Sequence, residues 1–420
     1  MSTLDCWPAL PITIWYDTDT PLSCEVEDDV LAGLKHSDRI HNIMLPISSS
    51  MLAKSTTSVW TFPELEHLSI MSPGPDGQFT VLPHTFLGGS TPTSKRLRRI
   101  TLQSISFPTL PQLLMSSCDL AYLSLGPDVF TGEGFIPSDT LASSLSTATR
   151  LKTLYIYPPS ELRHTLEQRS THSRSSFPNL IVLPSLVDIE FDGSHEYLED
   201  LVSRIHAPFL LDIAVHIYQK GAQPSYLPHL DQFLSQTECL RSLPLQTSID
   251  IYDQFFVIKH DFGSSPQGCI ALAVSFDDHE YWDMSQVDHF SRQLHPLISS
   301  VERVKIQLHV FPPSLQRKLH THAMQWLQLF MLFNGAKDVQ VYNINESYTG
   351  IALALQKSTE ISQEVFPALR ILRLCGFGEK MGWRIKYFVE GHRFTTGRTV
   401  IVLRRDKERC DSGGDEEFVF

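Results

Sequence analysis

The stretch "GSHEYLEDLVSRI", residues 193–205, carries side chains that could hold a metal ion. His195 and Glu196 open a near match to His-Glu-x-x-His, the signature of a zinc protease, with Glu199 in place of the second histidine. His195 and Glu199 are four residues apart, so on a helix they could share a metal. A catalytic zinc takes three protein ligands and keeps an open position, and the neighbouring sequence supplies no third ligand.

The same stretch has the pattern of an ordinary amphipathic helix. Ser194 stands where an N-cap belongs, and Glu196 falls in the first turn, where the helix dipole favours negative charge. The apolar face is formed by Tyr197, Leu198, Leu201, Val202 and Ile205. The face predicted to be solvated is formed by His195, Glu196, Glu199, Asp200 and Arg204. We therefore predict packing here rather than metal chemistry.

Other possible chemical motifs are equally incomplete. The glycines of "CGFGEKMG" (375–382) are misspaced for a dinucleotide-binding Gly-x-Gly-x-x-Gly loop. "DDHE" (277–280) and "HTH" (320–322) are isolated polar clusters that could ligate a metal but read as solvated loop or helix faces. The chain has no Gly-x-Ser-x-Gly nucleophile elbow and no phosphate-loop motif. We expect a protein that is not an enzyme, with no catalytic residues, no metal and no cofactor.

Charge and cysteine content narrow the class of partner and the compartment. The 420 residues have a formal net charge of -13, which argues against nucleic-acid binding. The seven cysteines are scattered with no Cys-x-x-Cys spacing, so a reducing compartment is the simpler reading. The apolar run "MQWLQLFMLF" (324–333) is too short to span a membrane, and the N-terminus does not resemble a signal peptide. We expect a cytoplasmic or nuclear protein without membrane contact.

A spacing of apolar residues recurs along the chain and predicts its architecture. Each copy has an apolar residue, two others, an apolar residue, one other and a third apolar residue. The clear copies are Leu65/Leu68/Ile70, Leu97/Ile100/Leu102, Leu120/Leu123/Leu125, Leu151/Leu154/Ile156, Leu186/Ile189/Phe191, Leu210/Ile213/Val215, Leu240/Leu243/Leu245, Val301/Val304/Ile306 and Leu369/Leu372/Leu374. Weaker copies are Ile40/Ile43/Leu45, Cys269/Leu272/Val274 and Ala336/Val339/Val341. The unbroken series starts at 65, 97, 120, 151, 186, 210 and 240, which are 23 to 35 residues apart.

This periodicity predicts one strand and usually one helix per repeat, because consecutive parallel strands need a crossover between them. We predict an α/β fold: an irregular leucine-rich-repeat solenoid, an arc or horseshoe with a parallel β-sheet on the concave face and helices on the convex face. A single solenoid should occupy residues 1–405, with loop insertions near 72–95 and 158–178. Residues 406–420 should be a disordered charged tail.

The alternation of strand side chains predicts a partner-binding face. The outward positions that we expect to bind a partner are Tyr155, Tyr157, Asp188, Glu190, Asp192, Asp212, His216 and Tyr218. If the strands stack in order, these residues form one acidic and aromatic patch suited to a basic segment of a protein partner. The alternative is that exposed strands carry polar residues only to stay soluble. The equivalent positions further along, Arg303, Lys305, Gln307 and His309, are basic.

Several segments resemble a family of F-box/leucine-rich-repeat proteins from basidiomycete fungi. They are "LPSLVDIEFDGSHEYLEDLVSRIHAPFLLDIAVHIYQ" (183–219), "CWPALPITIWYD" (6–17), "FPELEHLSI" (62–70), "LPHTFLGGSTP" (82–92) and "WRIKYFVEGHRFTTGRTVIVLRR" (383–405). The resemblance implies an arc of repeats behind an N-terminal F-box. It also implies that the box docks on an adaptor of cullin-RING ubiquitin ligases while the repeats hold the target.

The sequence departs from that family pattern at its start. An F-box is a helical segment that precedes the repeats, and here the repeat pattern begins close to the first residue. We expect either a piece of a longer product or a free-standing repeat domain, so adaptor docking is not expected from these residues. The function we expect is non-catalytic protein recognition, in the manner of a ligase substrate receptor. The alternative is a stand-alone scaffold or a regulator of a small GTPase.

Overall fold

The computed structural model describes residues 10–16, 23–47, 51–52, 61–72, 80–84, 86–88, 96–130, 135–158, 180–219, 226–237, 246–252, 255–261, 269–276, 284–293, 301–308, 323–343, 350–360, 365–375, 382–396, 401–405 and 416–418. The chain divides into two compact units, Met1–Leu210 and Leu211–Phe420. The single solenoid over residues 1–405 stays a prediction. The insertions predicted near 72–95 and 158–178, and the tail predicted at 406–420, fall largely outside the described residues.

The first unit is a parallel sheet with helices between its strands. Its strands are Ile12–Trp15 (β1), Ile40–Pro46 (β2), His67–Met71 (β3), Thr80–Val81 (β4), Arg99–Gln103 (β5), Ile105–Ser106 (β6), Tyr122–Leu125 (β7), Thr153–Ile156 (β8), Ile181–Val182 (β9), Asp188–Ser194 (β10) and Ile205–His206 (β11). Its helices are Cys24–Leu34 (α1), Leu110–Ser116 (α2), Ser138–Ser144 (α3) and His195–Val202 (α4). The main sheet has the parallel order β1-β2-β3-β5-β7-β8-β10, and two short parallel pairs, β4–β6 and β9–β11, stand apart from it.

The second unit continues the strand-and-helix pattern, with an interruption in its first half and an antiparallel pair, β19–β20, at its end. Its strands are Asp212–Gln219 (β12), Gln246–Ile251 (β13), Phe255–Asp261 (β14), Cys269–Phe276 (β15), Arg303–Leu308 (β16), Asp338–Asn343 (β17), Ile371–Cys375 (β18), Ile401–Arg405 (β19) and Glu416–Phe418 (β20). Its helices are Pro228–Gln236 (α5), Met284–Gln293 (α6), Ala323–Phe330 (α7), Gly350–Glu360 (α8) and Gly382–Thr396 (α9). The strand order is β12-β15-β14-β13-β16-β17-β18-β19-β20. The predicted α/β fold, a mostly parallel sheet with helices between its strands, is confirmed.

The interruption is an antiparallel meander that the repeat pattern did not predict. Strand β14 pairs antiparallel with both β13 and β15, so β15 rather than β13 lies beside β12. Two runs rich in β-branched and aromatic residues flank a short link at residues 252–254, which is a hairpin pattern. Such a hairpin needs no crossover helix. The predicted copy Leu240/Leu243/Leu245 lies outside the described residues, and the weak copy at Cys269 falls in β15.

The core is built from the predicted apolar positions. In every clear copy that the structure describes, all three apolar side chains are buried. A tight turn precedes many of the strands: the amide of Leu65 donates to the carbonyl of Phe62 at 3.2 Å, and Leu369 donates likewise to Phe366 at 2.9 Å. In both, the residues are Phe-Pro-x-Leu (62–65 and 366–369), and proline stands at the second position of the turn, where its fixed φ is favoured.

Helix α4 confirms the reading of the 193–205 stretch, with one correction. The amide of Tyr197 donates to Ser194 Oγ at 3.4 Å, so Ser194 is the N-cap. The predicted apolar face is buried, and the Tyr197 ring stacks on Phe191 of β10. The prediction that Glu199 is solvated was wrong, because this side of α4 packs against α3 and leaves Glu199 only 9% exposed.

A buried histidine secures the meander. His260 of β14 and Thr247 of β13 are register partners, and both side chains are fully buried. Thr247 Oγ1 lies 2.8 Å from His260 Nδ1. Burial lowers the pKa of His260 from 6.5 to about 4, because the imidazolium would lose its hydration.

We predict an acid-dependent loss of stability that originates at His260. The unfolded chain binds a proton there near pH 6.5, whereas the folded chain keeps the ring neutral down to about pH 4. The stabilisation is complete above pH 6.5 and is lost as the pH falls toward 4, by about 3 kcal/mol in total. The measurement is denaturant unfolding of the wild type and of His260→Gln over a series of pH values. The difference between their free energies of unfolding should change by this amount as the pH falls. The exposed-site variant His67→Gln is the control; a difference between wild type and His260→Gln that does not vary with pH would contradict the prediction.

Candidate functional site

The outward face of the first sheet places equivalent residues of consecutive repeats side by side. Tyr122 is the register partner of Thr153, and Thr153 is the partner of Asp188. One step further along the strands, Tyr155 is the partner of Glu190. Neighbouring strands lie about 4.8 Å apart, so side chains in one such row are in reach of each other. The face therefore concentrates side chains that are far apart in sequence.

Three tyrosines, Tyr122, Tyr155 and Tyr157, form the tyrosine cluster of this face. The rings of Tyr122 and Tyr155 meet edge to face at a centroid distance of 5.6 Å, and those of Tyr155 and Tyr157 at 6.5 Å. Edge-to-face packing is a favoured arrangement of aromatic rings. The Arg99 guanidinium lies 4.0 Å from the centroid of the Tyr122 ring. At least one ring of the cluster thus already accepts a cation on its face.

Two carboxylates lie against the tyrosine cluster. The Tyr155 hydroxyl donates to Asp188 Oδ2 at 2.8 Å, and Glu190 lies close enough to the Tyr157 hydroxyl to raise its pKa. The hydrogen bond to Asp188, together with burial and the negative charge of that carboxylate, raises the pKa of Tyr155. Burial and the Glu190 charge raise the pKa of Tyr157. The tyrosines remain neutral donors, and the carboxylates remain acceptors on a half-buried face.

The predicted site residues divide between the two units. Tyr155, Tyr157, Asp188 and Glu190 are brought together, and Asp192 follows them on the same face of β10. The other three lie on β12 in the second unit.

Those three have contacts of their own. Asp212 Oδ1 accepts from the Cys269 amide at 2.8 Å, and His216 Nε2 lies 2.6 Å from Ser275 Oγ. The His216 and Tyr218 rings lie 4.7 Å apart. A single continuous patch of all eight residues stays a prediction.

Arg99 and Tyr122 were missed by the sequence reading, although a signal for them was present. Arg99 precedes Ile100 and Tyr122 precedes Leu123, and Ile100 and Leu123 are the middle apolar residues of their repeats. Thr153 and Asp188 hold the same position in the next two repeats. Aligning the repeats on their apolar residues would have put them in the same row. What the alignment could not supply is the direction of each side chain.

The candidate metal and cofactor motifs gain no support among the described residues. No group of three or more His, Cys, Asp or Glu side chains that could hold a metal occurs there. His195 instead lies 3.3 Å from its neighbour Glu196. "DDHE" and "HTH" lie outside the described residues, as does most of "CGFGEKMG". Within the described part of the chain, none of the helices has the length and apolar character to cross a membrane.

We predict that the Asp188 carboxylate controls the ionisation of Tyr155. Asp188→Asn keeps an acceptor but removes the negative charge, so the pKa of Tyr155 should fall toward its ordinary value of 10.0. Carbon-13 NMR of labelled tyrosine over an alkaline pH series measures this directly. Glu196→Gln, an equivalent change on helix α4, should leave Tyr155 unaffected. Titration of Tyr155 near its ordinary pKa in the wild type would contradict the prediction.

Comparison with known proteins identifies no family for this chain. No protein-family model matches the chain, and no curated protein matches it. Among solved structures, a leucine-rich-repeat protein of Leptospira interrogans aligns with a TM-score of 0.27 and 13% sequence identity. That alignment covers 88% of this chain and 85% of the Leptospira chain.

Proposed function

We propose that the chain is a non-catalytic recognition module that binds a lysine- or arginine-containing segment of a partner protein on the outward face of its first sheet. The observation that carries this proposal is the tyrosine cluster with Asp188 hydrogen-bonded to it and Glu190 beside it. Tyrosine offers a large, stiff and amphipathic contact surface, which is why it is common at the centres of protein interfaces.

The arrangement favours a cationic partner for two reasons. The Asp188 carboxylate is fixed by the Tyr155 hydroxyl, so little of its side-chain freedom is lost when a partner binds. The Arg99 guanidinium on Tyr122 is an internal example of the contact that a partner's cation would make with the remaining rings. A charged hydrogen bond to a fixed carboxylate contributes about 1.5–3 kcal/mol.

The test uses two variants of the full chain. Both replace carboxylates by amides, one on the proposed binding face and one, as a control, elsewhere. The double variant Asp188→Asn, Glu190→Gln removes both charges and keeps the side-chain shapes. Glu196→Gln makes the same chemical change on helix α4, where Glu196 is 64% exposed. Fluorescence anisotropy with a labelled peptide of alternating lysine and alanine, and with its glutamate counterpart, measures binding at physiological salt.

We predict that the wild type binds the lysine peptide and not the glutamate peptide. The double variant should bind about tenfold more weakly or worse, which corresponds to about 1.4 kcal/mol. Glu196→Gln should bind as the wild type does. If the double variant is folded, as judged by circular dichroism, and binds the lysine peptide unchanged, the face is polar only for solubility and the proposal fails.

We further propose that this module serves as a substrate receptor of a cullin-RING ubiquitin ligase, a role supported only by the resemblance of residues 183–219 and the other quoted segments to F-box proteins. A native pull-down of the chain, probed for the ligase adaptor and the cullin, tests this role: recovery of both would support it, with the docking element supplied separately from the recognised repeats. Recovery of a defined partner without them would instead favour a stand-alone scaffold or a GTPase regulator. If the Asp188→Asn, Glu190→Gln variant still recovers the adaptor and the cullin, adaptor docking does not depend on the face proposed to bind the target.

A further inference from the structure

The outward face of the second unit carries a row of cations with regular spacing. Lys259 of β14 is the register partner of Ser248 of β13, which is in turn the partner of Lys305 of β16. Lys305 pairs with Gln340 of β17, and Gln340 pairs with Arg373 of β18. We call Lys259, Lys305 and Arg373 the cationic row. A neutral residue separates each member from the next.

The strand spacing fixes the distances along this row. Because neighbouring strands lie about 4.8 Å apart and the cations stand on every second strand, their attachment points repeat about every 10 Å. The hydrogen bonds of the sheet set this repeat, so it does not depend on side-chain conformation. The row therefore presents positive charges at a fixed spacing across five strands.

Each cation is held in place by a neighbour on the same face. Lys259 Nζ lies 3.9 Å from Asp250 Oδ2, and the Arg373 guanidinium is paired with Asp338. Lys305 Nζ lies 5.0 Å from the centroid of the Tyr342 ring.

These contacts leave the row available to a ligand. The Lys259 side chain remains 51% exposed, and Arg373 remains 26% exposed. The ion pair between Lys259 and Asp250 is weak, because Lys259 is half exposed and the two charged atoms are 3.9 Å apart, so a partner's acid can share this cation. Arg303, an exposed neighbour of Lys305 on β16, adds a further positive charge.

The local charge opposes that of the whole chain. On this face of β13, β14, β16, β17 and β18, the cations Lys259, Arg303, Lys305 and Arg373 stand against Asp250, Asp261 and Asp338, which leaves an excess of one positive charge (four minus three). The chain as a whole has a net charge of -13. A positive patch on an acidic protein attracts acidic partners, while the rest of the surface repels them.

We propose that the cationic row binds an acidic segment of another protein, with carboxylates about 10 Å apart. A polyproline II segment rises about 3.1 Å per residue with three residues per turn, so acids at every third position line one side at about 9.3 Å intervals. That spacing matches the row, and the intervening residues of the segment would lie over Ser248 and Gln340. The surface is distinct from the tyrosine cluster and takes a partner of opposite charge.

The observations favour an acidic peptide over a nucleic acid. Phosphates of duplex DNA follow one another at about 3.4 Å per strand along the helix axis, far closer than the cations of the row. A continuous phosphate backbone would also meet Asp250 and Asp338. A segment with neutral residues between its acids avoids both conflicts.

The experiment compares two labelled peptides of identical composition with the full chain. In one, aspartates occupy every third position of a proline-rich frame; in the other, the same aspartates form one block. We expect the spaced peptide to bind about tenfold more tightly than the block peptide by fluorescence anisotropy. Lys305→Glu should weaken its binding about tenfold or more, and Lys305→Gln should weaken it less.

Two controls make the outcome decisive. Lys386→Glu reverses one charge on helix α9, where Lys386 is 55% exposed, and should leave binding of the spaced peptide unchanged. The Asp188→Asn, Glu190→Gln variant should also bind it normally, so failure here is separable from failure of the first-unit site. Equal binding of the two peptides, normal binding by a folded Lys305→Glu variant, or tighter binding of an oligothymidylate than of the spaced peptide would each overturn the proposal.

Discussion

The tight turn that starts each repeat sets the register on which the rest of the first sheet depends. Its leucine amide is bonded three residues back, as for Leu151 and Ala148 at 3.0 Å, and the leucine is fully buried. The next two amides then reach the preceding repeat: those of Lys152 and Thr153 both donate to the carbonyl of Ala121. Once the leucine is buried, the strand that follows can begin at only one place. Tyr122 and Thr153 are neighbours for that reason.

Ion pairs between consecutive repeats lie close to these turns and reinforce them weakly. They are Glu64–Arg96, Glu66–Arg98, Asp119–Arg150 and Glu302–Lys337. Their side chains are substantially exposed and screened by solvent, so each pair contributes little, whereas a buried leucine contributes about 1.5–3 kcal/mol. Burial therefore determines the register. The charges at most disfavour wrong pairings, since a shift by one repeat would oppose like charges at some positions.

The strands and the buried residues could be predicted from the sequence because a period-two pattern with one apolar face reports burial directly. The same alternation predicted that Tyr155 and Glu190 share a face. The antiparallel meander could not be predicted from the repeat, because a hairpin reverses strand order without changing the period of the side chains. The burial of Glu199 depends on its contact with α3, and the position of Arg99 over Tyr122 depends on a side-chain direction. Both are tertiary effects that one-dimensional spacing does not contain.

A sheet of this kind separates the residues that make the fold from those that can make contacts. Inward positions must be apolar and well packed, so Leu154 and Ile156 have little freedom to vary. The outward positions between them face no such constraint, and Tyr155 could change without opening a cavity. The chemistry of the face can therefore differ from strand to strand on one framework. Two results of that freedom are the acids and tyrosines on β8 and β10 and the cations on β14, β16 and β18. Because the backbone holds both sets at fixed intervals, the two proposed interactions depend on the spacing of charge in the partner as well as on its sign.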